Sequence, residues 1–206
     1  MTNSEARSLL LKARRRHTWI VAVPLLLAFL VSGSSWSNVS LLHALYQWIG
    51  YFLTLICVLG RGWCSAYIGG RKNYELITAG PYSAVRNPLY VFSFIGVAGI
   101  GFCTGTVTYL VILTVLFAAY YQIVVWREEK FMAETFGQAF ADYKARVPRW
   151  WHNFDLWQDV LEVQARPRFL YITLRDGAMF FLAFPLLRLI EYLHGLGALP
   201  VLLRLP

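Results

Sequence analysis

Long apolar runs alternate with short polar segments along the whole chain. Thr18 to Val31 is apolar with Pro24 inside it, and Leu41 to Leu59 is a second run. From Pro88 to Trp126 there is no charged residue at all. A helix needs ~20 apolar residues to cross a hydrocarbon core of ~30 Å. The first two runs therefore predict one span each, the first extended by its flanks, and a proline inside a membrane helix is tolerated. The third is too long for one crossing and suits two. It predicts a tight helical hairpin, with Pro88 opening its first helix. The region of Gly99-Ile100-Gly101 and Thr104-Gly105-Thr106 is expected to supply the turn. Gly96, Ala98, Gly99 and Gly101 allow close helix approach.

Beyond the hairpin, Arg127 to Arg149 is charged and helical in period. Phe131, Phe136, Phe140 and Tyr143 recur at helical spacing and predict a packed face. Val147-Pro148-Arg149 ends that segment. Trp150, Trp151 and Trp157 suggest an interfacial belt. Leu161 to Arg175 is basic and amphipathic. Gly177 to Leu187, extended by neighbours, predicts a fifth span, on which Arg188 and Glu191 are spaced to pair. Leu196 to Leu203 is expected at or in the membrane interface, and Ser32 to Ser40 as a polar loop.

Composition agrees with this pattern. Of 206 residues, 58% are hydrophobic and only 15% charged, and mean hydropathy is +0.50. An ordinary soluble domain is far more polar. The fold class expected is an all-α integral membrane protein of about five transmembrane helices. It forms one membrane domain over 1–206: an N-terminal arm with two helices (1–60), a core with the hairpin (61–149), and an interfacial segment with a C-terminal helix (150–206). The net charge of +8 reads as cytoplasmic-side Lys and Arg, not as a nucleic-acid surface. A basic arm over 1–17, with Arg14-Arg15-Arg16, precedes a retained first helix; a cleaved signal is not expected. Localisation is accordingly multi-pass, in a bacterial inner membrane, with the N-terminus and site cytoplasmic. Cys57, Cys64 and Cys103 show no metal or disulfide spacing and read as small buried residues. His17, His43, His152 and His194 are scattered and suggest no metal site.

One polar stretch interrupts the apolar pattern without serving it. Glu75 to Tyr90 contains the turn pairs Gly80-Pro81 and Asn87-Pro88, with Tyr82, Arg86 and Tyr90 around them. These lie at the entry of the hairpin, while Glu128 and Glu129 lie at its exit. Antiparallel helices pack ~8–10 Å apart, so the two clusters should form one pocket at the membrane surface. Ionisable groups there are costly unless they pair or bind something. Carboxylates can accept hydrogen bonds from hydroxyls and an ammonium, aromatic rings can stack or face a positive centre, and Arg86 can hold a carboxylate or phosphate. S-adenosyl-L-methionine presents all the matching groups. No Gly-rich loop follows a strand, which excludes a Rossmann-type binder on pattern.

Gly80-Pro81-Tyr82, Arg86-Asn87-Pro88-Leu89-Tyr90, Glu128-Glu129, Phe136-Gly137, Asp142-Tyr143-Lys144 and Val147-Pro148-Arg149 occur in that order. Arg61-Gly-Trp-Cys-Ser-Ala66 and Lys72-Asn73-Tyr-Glu-Leu76 precede them. In this the chain resembles the isoprenylcysteine carboxyl methyltransferase family, which is related to membrane phospholipid N-methyltransferases. Asn87 departs from the His of eukaryotic members, as in bacterial-type ones. The resemblance implies S-adenosyl-L-methionine as cofactor, framed by Gly80, Pro81, Tyr82, Arg86, Asn87, Pro88, Tyr90, Glu128 and Glu129. It implies catalytic positioning by Arg86, Tyr90 and Glu129, and an anionic acceptor met by Arg86 and Arg149. The expected partners are the lipid bilayer and a lipid-linked or hydrophobic methyl acceptor, with no nucleic acid and no metal. A carboxylate, an amine or a thiol acceptor, and a non-enzymatic module of the same fold, all remain open at this point.

Overall fold

The computed structural model describes residues 23–35, 41–71, 74–163 and 165–206. The basic arm expected over 1–17, the start of the first apolar run, residues 36–40 of the expected polar loop, Lys72-Asn73 and Gln164 lie outside the described residues. The elements in order are α1 (23–30), β1 (Ser32–Ser34), α2 (Leu41–Ile68), α3 (Pro81–Ala84), α4 (Pro88–Cys103), α5 (Val107–Phe136) and α6 (Gln138–Arg146). A single 3-10 turn (Phe154–Leu156), α7 (Pro167–Gly195) and β2 (Leu203–Leu205) follow.

The protein is an all-α membrane protein. Helices α2, α5 and α7 are long and apolar enough to cross a bilayer. The 16 residues of α4 reach about 24 Å at 1.5 Å per residue. Leu42, Phe52 and Leu59 on α2, Val115 and Ile123 on α5, and Leu182 and Leu189 on α7 are exposed. In a bilayer these side chains meet hydrocarbon, so their exposure carries no penalty.

The hairpin is α4–α5, closed by Thr104-Gly105-Thr106. Thr106 caps α5, its hydroxyl accepting from Tyr109 N at 3.4 Å. Gly99 and Gly101, expected in the turn, lie instead inside α4. A Cβ on Gly99 would sit 2.8 Å from Gly50 O and 2.9 Å from Thr54 N. Helices α2 and α4 thus meet backbone to backbone, and Gly96, opposite Cys57, extends the same contact. Gly101 alone faces the hairpin partner, against Leu110. The three cysteines are free and buried, as expected of small apolar groups.

Two expected boundaries differ. The charged stretch after Trp126 does not start a new helix, because nothing breaks α5 until Gly137, which takes φ +54°. The basic segment and the fifth apolar run merge into α7, which opens at Pro167 and carries Pro185 within it. Of the expected packed face, Phe140 and Tyr143 are buried with Phe136 against them, whereas Phe131 is exposed.

The C-terminal segment pairs with residues from the other end of the chain. Leu203–Leu205 pairs in parallel with Ser32–Ser34, which was expected as loop, and Thr108 N donates to Pro206 O at 3.1 Å. Backbone groups near the membrane need partners, and these two short segments satisfy each other beside the hairpin turn. Arg188 and Glu191 do pair, at 3.1 Å, within a wider network. Gln47 Nε2 donates to Glu191 Oε1 at 2.8 Å, Arg188 Nη1 donates to Gln47 Oε1 at 2.7 Å, and His43 Nε2 stands 3.4 Å from Glu191. This network ties α2 to α7 at the end of the bundle opposite the 75–90 stretch.

Candidate functional site

Helix α4 opens at Pro88, and α5 returns antiparallel to the same end. The Tyr90 hydroxyl donates to Glu128 Oε1 at 2.7 Å, so hairpin entry and exit abut. The next residue, Glu129, has a side chain only 9% exposed. It accepts from Arg149 through Nε at 3.1 Å and Nη2 at 2.5 Å. Arg86 Nε stands 3.6 Å from the same carboxylate. One buried acid thus faces two guanidinium groups.

Arg149 reaches Glu129 because residues 147–158 are laid along the 80–87 stretch by backbone bonds. Pro148 O accepts from Arg86 N at 2.9 Å, Ala84 O from Asn153 N at 2.9 Å, and Gln158 O from Gly80 N at 2.7 Å. Asn87 Nδ2 donates to Arg149 O at 3.3 Å, and the Tyr143 hydroxyl donates to Tyr82 O at 2.7 Å. Gly80 takes φ +59°, and a Cβ there would lie 2.3 Å from the Tyr67 ring. Only glycine makes this turn without moving α2.

Around these groups lies a cavity of about 330 Å³, within the ~300–1,000 Å³ typical of small-molecule sites. The 80–90 stretch lines it with Tyr82, Arg86, Asn87, Leu89 and Tyr90. Helix α5 adds Arg127, Glu128, Glu129, Phe131 and Met132, and α6 adds Phe140 and Tyr143. Ile68, Glu75 and Ile77 complete the wall. Burial holds the Arg86 guanidinium below its usual pKa, with Glu129 opposing that shift and Arg149 adding to it. Burial also pushes the Tyr82 and Tyr143 phenols well up. Both stay neutral donors. The Tyr82 hydroxyl is buried in the cavity wall and has no hydrogen-bond partner among the described residues. Buried polar groups are almost always paired, so this one points to a ligand.

Six of the residues anticipated for cofactor contact therefore share one cavity: Tyr82, Arg86, Asn87, Tyr90, Glu128 and Glu129. Gly80, Pro81 and Pro88 do not line it; they shape the turns that present the others. Arg149 is outside the wall and touches it only through Glu129. Sequence reasoning missed Ile68 and Met132 as lining, did not single out Glu75 and Ile77 within the stretch expected to form half of the pocket, and took Phe131, Phe140 and Tyr143 for a packed face. The only available signal was Glu75, a lone acid opening the polar stretch. Among the described residues no group of three His, Cys, Asp or Glu side chains could hold a metal ion.

A family model described as phospholipid methyltransferase matches residues 28–139, which include the hairpin and both polar clusters but not Arg149. The chain is 37% identical over 141 residues to the nickel-cobalt-cadmium resistance protein NccN of Alcaligenes xylosoxydans xylosoxydans, covering 68% of this chain and 65% of that protein. It is 35% identical over 155 residues to the cobalt-zinc-cadmium resistance protein CzcN of Cupriavidus metallidurans, covering 75% of this chain and 71% of that protein. No solved structure matches.

Proposed function

The chain belongs to the phospholipid methyltransferase family, and on that footing we propose that it is a membrane enzyme moving a methyl group from S-adenosyl-L-methionine to a lipid-borne acceptor. The observation that carries the reading is the cavity at the hairpin's open end. There the Tyr82 hydroxyl lacks a partner among the described residues while Tyr90 fixes Glu128 beside it. The donor set suits the proposed cofactor. Glu128 offers a carboxylate to an ammonium or to ribose hydroxyls, Tyr82 offers a phenol, and Phe131 and Phe140 offer rings. S-adenosyl-L-methionine supplies a methyl group already activated on a sulfonium.

The chain's own contribution is then alignment and exclusion of water. Glu129 holds Arg86 and Arg149 in register, and Arg86 faces the cavity as the group that orients an anionic acceptor. Tyr90 sets the Glu128 carboxylate. A carboxylate or thiolate acceptor needs no base, whereas an amine must first lose a proton. A phospholipid amine and a prenylcysteine carboxylate are the first acceptors to test. Arg71 and Arg127 at this end support a cytoplasmic orientation in a bacterial inner membrane. The relatives' names concern resistance to nickel, cobalt, zinc and cadmium; on the present reading this chain would serve such a role by modifying an envelope lipid.

The test uses purified full-length chain in detergent. Calorimetry should show binding of S-adenosylhomocysteine, and labelled donor with a total lipid extract should give a labelled lipid. Absence of both would overturn the reading.

A further inference from the structure

Arg61 is a cation within a membrane-spanning helix, and nothing in the cavity accounts for it. From Leu41 to Arg61 is 61 − 41 = 20 residues along α2, about 30 Å at 1.5 Å per residue, the full depth of a hydrocarbon core. The next turn marks the headgroup level: Trp63 stacks on Trp157 at 5.5 Å, and the Tyr67 hydroxyl donates to Asp159 Oδ1 at 2.7 Å. An arginine at this depth normally reaches outward to water. Arg61 turns inward. Its helix neighbours one turn either way are Cys57, packed on Gly96 of α4, and Ser65, bonded to Thr173 of α7 at 2.9 Å. Arg61 therefore lies in the seam where α2, α4 and α7 meet. Its Nη1 donates to the hydroxyl of Ser93 on α4, which itself donates to Leu89 O at 2.7 Å.

That single bond leaves most of a five-donor guanidinium unused. Among the described residues Nε is buried without an acceptor, and no carboxylate pairs with the guanidinium. An inward, half-buried guanidinium with idle donors at headgroup depth has the chemistry to take an anion. Ser93 lies three residues beyond Tyr90, on the same face of α4, and Tyr90 holds Glu128 in the cavity wall. An anion on Arg61 would thus sit about one helical turn, ~5 Å, below the cavity.

We propose that Arg61, oriented by Ser93, docks the anionic group (a phosphodiester or carboxylate) of an amphiphilic methyl acceptor. Its chains lie in the bilayer beside the α4–α7 seam, and its acceptor atom points toward Tyr90 and Glu128. This rests on the methyl-transfer reading of the cavity, but its test does not use turnover. Native mass spectrometry would follow retention of phosphatidylglycerol, palmitate and diacylglycerol by the full chain released from detergent. Wild type should retain one of the two anionic lipids at least tenfold over diacylglycerol, and whichever is retained identifies phosphodiester or carboxylate. Arg61→Gln should abolish the preference, and Arg61→Lys should keep part of it. Ser93→Ala should weaken it several-fold, and serves as the deciding variant if Arg61→Gln fails to fold. S-adenosylhomocysteine affinity should stay within twofold throughout. Its absence would strike the cavity reading while leaving lipid retention standing. No preference in wild type, or an unchanged preference in the folded variants, overturns the proposal.

Discussion

Replacing Glu129 by Gln removes one negative charge from between two guanidinium groups. The carboxylate is 9% exposed, Arg86 is 9% exposed, and Arg149 is 28% exposed. Breaking a buried pair by deleting one partner costs about 3–5 kcal/mol. Arg149 is partly in water and can turn outward, which lowers the expected cost to about 2–3 kcal/mol. Arg86 cannot follow it, since its backbone N–H is bonded to Pro148 O and its side chain is enclosed. For a chain of this size each kcal/mol moves the unfolding midpoint by roughly 2–4 °C. Glu129→Gln should therefore lower the midpoint in detergent by roughly 5–10 °C, read by intrinsic tryptophan fluorescence. Arg149→Met alone should cost less, and the double variant should recover part of the loss, giving a coupling of about 1–3 kcal/mol. A midpoint unmoved in Glu129→Gln, or two additive single effects, would refute the view that this acid neutralises both arginines.

Tyr82→Phe deletes a hydroxyl without a partner among the described residues, so the unfolding midpoint should hold or rise while S-adenosylhomocysteine affinity falls about tenfold, the worth of one neutral hydrogen bond; calorimetry on the same sample checks both. Tyr90→Phe removes a bond to a carboxylate, worth about 1.5–3 kcal/mol, and should slow methyl transfer about 10- to 100-fold in the labelled-donor assay. Gly99→Val places a side chain where Gly50 O and Thr54 N already stand, and should abolish monodisperse protein on size exclusion. The phenols of Tyr82 and Tyr143 are raised by burial, so each stays neutral in the folded state. Stability from the Tyr143–Tyr82 bond is fully present below the ordinary tyrosine value of about 10 and is lost only as pH rises through the raised one. Midpoints of wild type and Tyr143→Phe should therefore differ by a constant amount from neutral pH up to about pH 10, and converge above it.

The hairpin was legible because the run from Pro88 to Trp126 has no charge and cannot be housed in one crossing. That the Tyr90 end and the Glu128 end of the hairpin lie side by side follows from that length. The residues facing the cavity from Ile68, Ile77 and Met132 were not legible, since apolar side chains in an apolar chain carry no local mark. Nor was the use of Gly96 and Gly99 against α2, because small residues permit close approach without naming the neighbour. The parallel pairing of Ser32–Ser34 with Leu203–Leu205 joins opposite ends of the chain, and neither segment has strand-like alternation to announce it.

By itself, then, the sequence determined the membrane class, the hairpin and the pair of polar clusters at its mouth. Each of these is a length or a charge measured against one external constant, the thickness of a bilayer. Only the tertiary structure decided that Glu129 meets Arg149 as well as Arg86, that Tyr82 has no partner among the described residues, and that Arg61 turns inward to Ser93. Those outcomes depend on how helices rotate about their axes and on how the 147–158 segment is laid across the motif. Such contacts form between residues far apart in the chain, and no local pattern encodes their registration.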